Sequence, residues 1–389
     1  MHLLITAFGF PPEAHGVAHV AFRHAEAMAR RGHRVTVATG FHPQRTNPSV
    51  ISPGIEVVQF RVTGNGNLRS RYRGETHTYV DFIRRFPADL ICCHCWQTWS
   101  TDLAVRGFDG NPARKILVSH GVSVNSRWGW PLRFPDWLLW RPYVLREMPR
   151  MLRAFDHVVF LSHRMDNDRF YDRSLALRTG YRSHSVIPNG ADLPGPGAGD
   201  TGFKARWDIR SRRMVLCVGN YSPLKNERMV LEAFVRADLP DTSLVMVGGA
   251  TNRYLEALQR TWDRRPSGHP GTVHFLWGLS RAEIRSAYLA ADLFASGSRT
   301  ECFPLVILDA MAAGIPFVST DAGCIADLPG GLIVASEREM ADGMRTLLAC
   351  DRKRRVLGEQ GREAVRIRYN WELVADRYER LFQWLTEKP

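Results

Sequence analysis

Residues 298–314 read Ser298-Arg-Thr-Glu-Cys-Phe-Pro-Leu-Val-Ile-Leu-Asp-Ala-Met-Ala-Ala-Gly314. A polar turn passes an acid, Glu301, rounds a corner at Phe303-Pro304 and enters a run of small and apolar residues. Proline is accommodated in a first helical turn, where its missing N–H would have no helical partner anyway. A helix is therefore expected to start near Pro304. That leaves Glu301 just outside its N-terminus and Asp309 inside, roughly a turn and a half further on. The unpaired N–H groups of a first turn, with the positive end of the helix dipole, form a site for a phosphate. A carboxylate on either side can accept hydrogen bonds from hydroxyls. The target so described is a sugar joined through a diphosphate to a ribose. Alone, the segment fits an ordinary buried helix with a capping acid equally well, so its neighbours decide.

The segment resembles the signature of the retaining glycosyltransferases of family four, Glu-x-Phe-Gly-x-x-x-x-Glu-Ala-Met-Ala-x-Gly. Here it is carried by Glu301, Phe303, Pro304, Asp309, Ala310, Met311, Ala312 and Gly314. The resemblance implies that Glu301 holds hydroxyls of a donor sugar and Asp309 holds the ribose. The backbone from Cys302 through Phe303 and Pro304 to Leu305 would line the phosphates. Two positions depart from the pattern. Pro304 replaces a glycine and removes one N–H donor, and Asp309 is one methylene shorter than the usual glutamate.

Further matches follow through the C-terminal half. Met214–Gly219 reads as a strand, and Asn220–Asn226 as a loop leading into a helix over Glu227–Ala237. Relatives carry an Arg and a Lys in this loop to neutralise the diphosphate. Lys225 keeps the second position and Asn220 replaces the first. The lost charge-assisted contact is worth about 1.5–3 kcal/mol, and Arg228, one turn on, is the expected substitute. Leu244–Gly249 and Thr272–Gly278 are further strands, and Ser280 caps a helix over Arg281–Ala290. By resemblance the nucleotide base would lie near Gly278 and Leu279. Ala291–Ser296 leads into the opening stretch, and the chain closes on a helix running from Trp371 to Leu385.

In the N-terminal half, His2–Phe8 is an apolar strand, followed by a loop, an amphipathic helix over Val17–Arg31 that Gly32 stops, and a strand over Arg34–Thr39. This order is a parallel βαβ unit, with its loop at the carboxyl end of strand one, where such sheets bind ligands. Relatives carry a Gly-Gly pair in that loop. Here it is His15-Gly16, and the resemblance has the Gly16 backbone approaching the donor phosphates. Lys115–Gly121 is a strand ending in His120, where relatives often place a histidine close to the donor sugar. Cys92, Cys93, His94 and Cys95 sit on one strand. Neighbouring strand residues point to opposite faces, so they read as buried residues and not as metal ligands.

Bulk properties agree. The 389 residues suit two domains. Residues 1–191 hold 25 Lys+Arg against 14 Asp+Glu, while the rest hold 27 against 25, so most of the net charge of +13 belongs to the first half. Six of eleven tryptophans lie between Trp96 and Trp140. Trp128, Trp130, Trp137 and Trp140 interleave with arginines, Arg141 among them, in a pattern that suits an anionic membrane surface or a sugar acceptor as well as a core beside a solvated helix. No nucleic-acid-binding module is visible, which argues against nucleic acid as partner. Seven cysteines without framework spacing suit a reducing cytoplasm. The N-terminus lacks a basic region and a small-residue cleavage site, so it reads as a strand and not as a signal peptide.

The resemblance implies the GT-B fold: two Rossmann-like domains, residues 1–192 for the acceptor and 203–366 for the donor, facing a cleft, with 367–389 crossing back as a helix. It implies transfer of a hexosyl group from a UDP- or GDP-sugar to a hydroxyl of a glycan or glycolipid, with retention, in bacterial surface polysaccharide or lipopolysaccharide synthesis. Glu301, His120 and Lys225 would carry the catalysis. No divalent metal or other cofactor is expected, because Lys225, N–H groups and the helix dipole face the leaving diphosphate. The expected location is cytoplasmic, peripheral on the inner face of a membrane. The competing readings are a sugar-nucleotide epimerase on the same fold, and a non-catalytic partner that binds a sugar nucleotide for another transferase.

Overall fold

Short apolar runs alternating with helices build two parallel sheets. The computed structural model describes residues 1–45, 53–66, 71–121, 134–164, 172–195, 202–265 and 267–387, without the side chains of 134–137. The chain divides into two units, Met1–Asn189 with Trp371–Pro389, and Gly190–Asn370.

In chain order the first unit holds β1 (His2–Thr6), α1 (Gly16–Arg30), β2 (Arg34–Gly40), β3 (Ile55–Phe60), β4 (Val62–Thr63), β5 (Arg73–Gly74), α2 (Thr76–Arg85), β6 (Leu90–His94), α3 (Trp99–Ala104), β7 (Arg114–Val118), α4 (Phe134–Pro142), α5 (Met148–Ala154), β8 (His157–Phe160), α6 (Asp172–Arg178) and β9 (His184–Val186). Strands β4 and β5 form a small antiparallel ribbon. The other seven pair in parallel in the order β3-β2-β1-β6-β7-β8-β9. Such strands are covered on both faces and read as continuous apolar runs. Leu3, Leu4, Ile5, Leu90, Ile91, Ile116 and Leu117 are accordingly buried. β3, an Ile-Glu-Val-Val-Gln-Phe run, is additional to the expected strands.

The second unit holds α7 (Phe203–Arg206), β10 (Arg213–Val218), α8 (Glu227–Ala237), β11 (Thr242–Gly248), α9 (Arg253–Asp263), β12 (Thr272–Trp277), α10 (Arg281–Ala290), β13 (Leu293–Ser296), α11 (Leu305–Ala313), β14 (Phe317–Thr320), β15 (Gly331–Val334), α12 (Glu337–Ala349) and α13 (Asp351–Ala364). Its six strands are parallel in the order β12-β11-β10-β13-β14-β15. Each sheet therefore reverses its winding once, between β1 and β6 and between β10 and β13. Ligands of open α/β sheets bind beyond the strand ends at such a reversal.

The last helix, α14 (Trp371–Glu387), belongs to the first unit. Val374, Tyr378, Phe382 and Leu385 bury its inner face. Arg31, at the end of α1, pairs with Asp376 at 2.7 Å and Glu372 at 3.1 Å, and His33 contacts Glu379 at 2.9 Å. The crossing helix is thus fixed by an apolar stripe flanked by ion pairs.

Helix α11 is backed by α13 through glycines. A Cβ on Gly358 would overlap the Gly314 carbonyl oxygen, and one on Gly361 would lie 3.1 Å from Cγ of Met311. Replacing a helical glycine by alanine gains about 1 kcal/mol of propensity. A backbone overlap in a packed interface costs about 1–3 kcal/mol. Gly358→Ala is therefore expected to lower stability by up to about 2 kcal/mol net, read as a lower midpoint in urea at unchanged slope. A raised midpoint would show that the two helices separate freely.

Candidate functional site

In the second unit the reversal point brings together the loops that follow β10 and β13. The first is set by Tyr221, whose ring packs on Gly248 and whose hydroxyl lies 2.8 Å from the carbonyls of Met246 and Leu276. A turn follows, in which the Lys225 and Asn226 amides donate to the Ser222 carbonyl at 3.0 and 2.9 Å. Asn226 adopts a left-handed conformation, φ 50°, and its side-chain amide donates to the Gly297 carbonyl at 3.1 Å. The second loop answers with the Arg299 amide on the Leu224 carbonyl, 2.9 Å, while the Thr320 hydroxyl holds the Ser298 carbonyl at 2.5 Å. Across this junction Lys225 Nζ donates to Glu301 Oε1 at 2.5 Å, with Glu301 only 7% exposed.

Gly323, at φ +61°, lies against the Glu301 peptide so closely that a Cβ would overlap its carbonyl oxygen. This fixes the acid from behind. Helix α11 starts at Leu305. Pro304 is its N-cap in extended conformation, and no side chain caps it. The expected start is thus shifted by one residue, because Pro304 stands just outside the helix. The first-turn N–H groups open at the same end as Glu301. Asp309, half-buried one turn inside, is pushed up to about 6 by burial, against the pull of Arg281 and Arg285 and with a further push from Asp192.

Asn220 is exposed beside Gly249, and Gly278 follows β12 with its amide on the Gly248 carbonyl at 3.1 Å and φ +67°. Asn220, Gly278 and Leu279 therefore share the edge formed by the ends of β10, β11 and β12. Arg228 is held by Glu232 at 2.7 Å on the outer side of α8. It would have to leave that pair to reach a phosphate.

The first unit carries Gly16 and His120. Gly16 opens α1, and His15 is the N-cap: its Nδ1 accepts from the Ala18 amide at 3.2 Å while its ring stacks on Phe8. A histidine in the place of a glycine is thus explained by capping. His120 lies two residues past β7. Its Nε2 is 3.2 Å from Nδ1 of His94, and the His94 and His24 rings are 5.1 Å apart. Burial, with a neighbouring histidine adding to it, pushes His120 and His24 down to about 3 and keeps His94 neutral as well. Ser119 anchors the strand end: it accepts from Trp96 Nε1 at 2.5 Å and donates to Asp172.

Trp128 and Trp130 lie outside the described residues, as does the side chain of Trp137. Trp140 is half-buried and edge-on to Tyr143, so it serves packing, whereas Arg141 is exposed.

This geometry can be set beside known proteins. Residues 203–364 match the family model Glycosyl transferases group 1, and residues 14–193 match Glycosyltransferase Family 4. The chain is 30% identical over 400 residues to the GDP-mannose-dependent α-(1-6)-phosphatidylinositol monomannoside mannosyltransferase of Mycobacterium tuberculosis, covering 96% of both. The chain belongs to glycosyltransferase family 4. A D-inositol 3-phosphate glycosyltransferase of Segniliparus rotundus is 33% identical over 205 residues, 49% of this chain and 44% of that protein. Among solved structures, the sucrose-phosphate synthase of Thermosynechococcus elongatus superposes with TM-score 0.77 at 20% identity, covering 98% of each chain. Anabaena HepE in complex with UDP-glucose gives 0.74 at 16%, covering 99% of this chain and 100% of that one. These place the transferase in the GT-B fold class.

Several buried groups of this transferase were not among the expected site residues. His94 and His24 stand behind His120. Asp102, pushed up to about 6 by burial, accepts from Tyr72 and Tyr143 at 2.6 and 2.7 Å. Glu227 lies under the Lys225 loop; an acid two residues past the lysine, at a helix start, was its only signal. The buried histidines and acids act oppositely on stability. A histidine held near 3 in the fold and near 6.5 when unfolded lets the unfolded chain bind the extra proton, so stability falls as pH drops below 6.5. Asp102, Asp172 and Asp309, held near 6, favour the fold as pH drops through 6. A single variant separates the two sets. From pH 7 to pH 5, His24→Leu should gain up to about 2 kcal/mol relative to the unsubstituted protein, measured by denaturant titration at both pH values. An unchanged difference would mean His24 is charged in the fold.

Proposed function

We propose that this family-4 enzyme is a retaining, metal-independent hexosyltransferase that uses a nucleoside diphosphate sugar and a glycolipid or glycan hydroxyl. The observation that carries this reading is the Lys225–Glu301 pair set at the uncapped start of α11. Lys225 and the first-turn N–H groups would face the diphosphate, Glu301 the sugar hydroxyls and Asp309 the ribose. The full-length mycobacterial relative is GDP-mannose-dependent and acts on a phosphatidylinositol monomannoside. GDP-mannose and a lipid-linked acceptor are therefore our first choices.

In the reaction the bond from the anomeric carbon to the diphosphate oxygen breaks and a bond to the acceptor oxygen forms on the same face. The acceptor's proton passes to the departing diphosphate oxygen. Negative charge grows on the diphosphate as the bond breaks, so preorganised donors aimed there lower the barrier most. Lys225, the α11 N–H groups and the helix dipole supply that charge stabilisation, which is why no divalent ion is invoked. Glu301→Ala should lower turnover of GDP-mannose or UDP-glucose on the order of 10²–10³-fold with far-UV circular dichroism unchanged. Full turnover in that variant would remove Glu301 from the reaction. Binding without turnover in the unsubstituted protein would favour the partner reading.

A lipid acceptor needs access to a bilayer. No helix among the described residues is long and apolar enough to cross one. The segment from α4 to α5 exposes Leu138 (50%) and Leu145 (59%), with Arg141, Arg146 and Arg150 also exposed. Apolar side chains with arginines fit the headgroup region of an anionic surface. The double variant Leu138→Glu, Leu145→Glu should weaken sedimentation with phosphatidylglycerol vesicles by roughly a hundredfold or more, the scale of two leucines left unburied and two negative charges added. Equal sedimentation of both proteins would place the membrane contact elsewhere.

A further inference from the structure

The Lys225 loop encloses an acid that the reaction above does not use. Glu227 is the first residue of α8 and is 2% exposed. Its Oε2 accepts from the Ser222 amide at 3.2 Å. Its Oε1 is buried, meets no donor, and lies 2.7 Å from the place a Cβ on Gly219 would occupy. The carboxyl group is thus enclosed by the loop, with one oxygen tied to the turn that presents Lys225 and the other unpaired.

The titratable groups around it come from four places. Lys225 and Tyr221 face it from its own loop, Glu301 from the loop after β13, Cys217 from β10 and Tyr254 from α9. Lys225 is the one cation among these, and its Nζ is committed to Glu301. A buried carboxylate oxygen without a donor is costly, and a proton on it removes the charge. Burial accordingly pushes this carboxyl up to about 7, with backbone N–H groups and Lys225 pulling it down and Glu301 pushing it further up.

We propose that Glu227 links donor binding to proton uptake: its Oε1 takes a proton from solvent when a diphosphate sugar brings its two negative charges beside Lys225, while its Oε2 keeps hold of Ser222. This rests on the reading of the Lys225–Glu301 site as the donor site. The diphosphate draws the positive charge of Lys225 to itself and adds negative charge of its own. Both effects favour the neutral acid. Release of the nucleotide product returns the proton. Because the coupling is reciprocal, a rise in pH must weaken donor binding. Glu227 touches no reacting atom and is a positioning residue.

The test is calorimetric titration of the whole protein with GDP-mannose and with UDP-glucose at several pH values between 6.5 and 8.5. Both probes are diphosphate diesters with constant charge in that range. Each titration is run in HEPES and in Tris, whose ionisation heats differ and neither of which offers a phosphate to the site. The expected result is a buffer-dependent heat equal to the uptake of up to about one proton, with affinity falling roughly three- to tenfold per pH unit above 7. In Glu227→Gln, which imitates the neutral acid, the heats should agree between buffers and the affinity should stay flat. Binding with a buffer-independent heat overturns the proposal, and so does a pH slope that survives in Glu227→Gln. The buffer comparison needs no variant, so it decides the matter even if the substitution harms folding. Failure of both probes to bind at any pH would instead overturn the proposed function, and this inference with it.

Discussion

Lys225 and Glu301 are 76 residues apart in sequence and 2.5 Å apart in space, and the contact depends on strand order. β13 lies beside β10 although two strands and three helices separate them in the chain. The loops that follow them are therefore neighbours, tied by Asn226 to Gly297 and by Arg299 to Leu224. Removing one partner of a buried pair costs about 3–5 kcal/mol. Here the lysine side chain keeps a third of its surface, so solvent screens the pair and the lower end applies. A ligand that offers an anion to Lys225 and a hydroxyl to Glu301 satisfies both groups at once. On the proposed reading, the pair offers a cation to the diphosphate and a carboxylate to the sugar hydroxyls of one ligand.

Both units bury acids, Asp102 and Asp172 in the first and Glu227 and Asp309 in the second, but the first adds a row of histidines. In the first, three imidazoles stand in a row from α1 through the end of β6 to the loop after β7, all neutral because burial outweighs any gain from charge. Neutral imidazoles can hydrogen-bond to one another, which two imidazolium rings cannot. In the second, acids cluster near the reversal point, and arginines on α10 and the lysine after β10 moderate them. A set of partly paired acids leaves charge available to respond to an anion.

What the sequence disclosed follows from where the determinants sit. Helices α8 and α10 begin and end at the expected residues because their stops are local: Ser280 and Glu283 form a reciprocal cap visible as a spacing. β3 escaped because Ile55–Phe60 carries Glu56 and Gln59 on the outermost strand of its sheet, so its apolar run is broken. His15 looked like an intrusion where relatives have glycine. Its purpose is a bond to the Ala18 amide and a stack on Phe8, neither of which a pattern of residue types contains. Arg228 is expected, one turn past Lys225, to substitute for the missing cation; its pair with Glu232, four residues on, is a contact that distance along the chain from Lys225 does not disclose. Lys225 and Glu301 were legible as separate motifs. Their meeting was not, since it depends on sheet order.

The departures from the family pattern share one direction. Asn220 withdraws a cation, and Pro304 withdraws an N–H at the start of α11. On the proposed reading, each weakens the grip on the diphosphate. Glu227 adds a buried acid on the same side of the ledger. With both carboxylates ionised, Lys225 would face two negative neighbours before any diphosphate arrived. The α11 N–H groups and the helix dipole remain, and they are fixed by backbone geometry and carry no exchangeable proton. On the proposed reading, the acid at 227 gives up its charge when the anion enters, and its unpaired Oε1 is where the proton is taken.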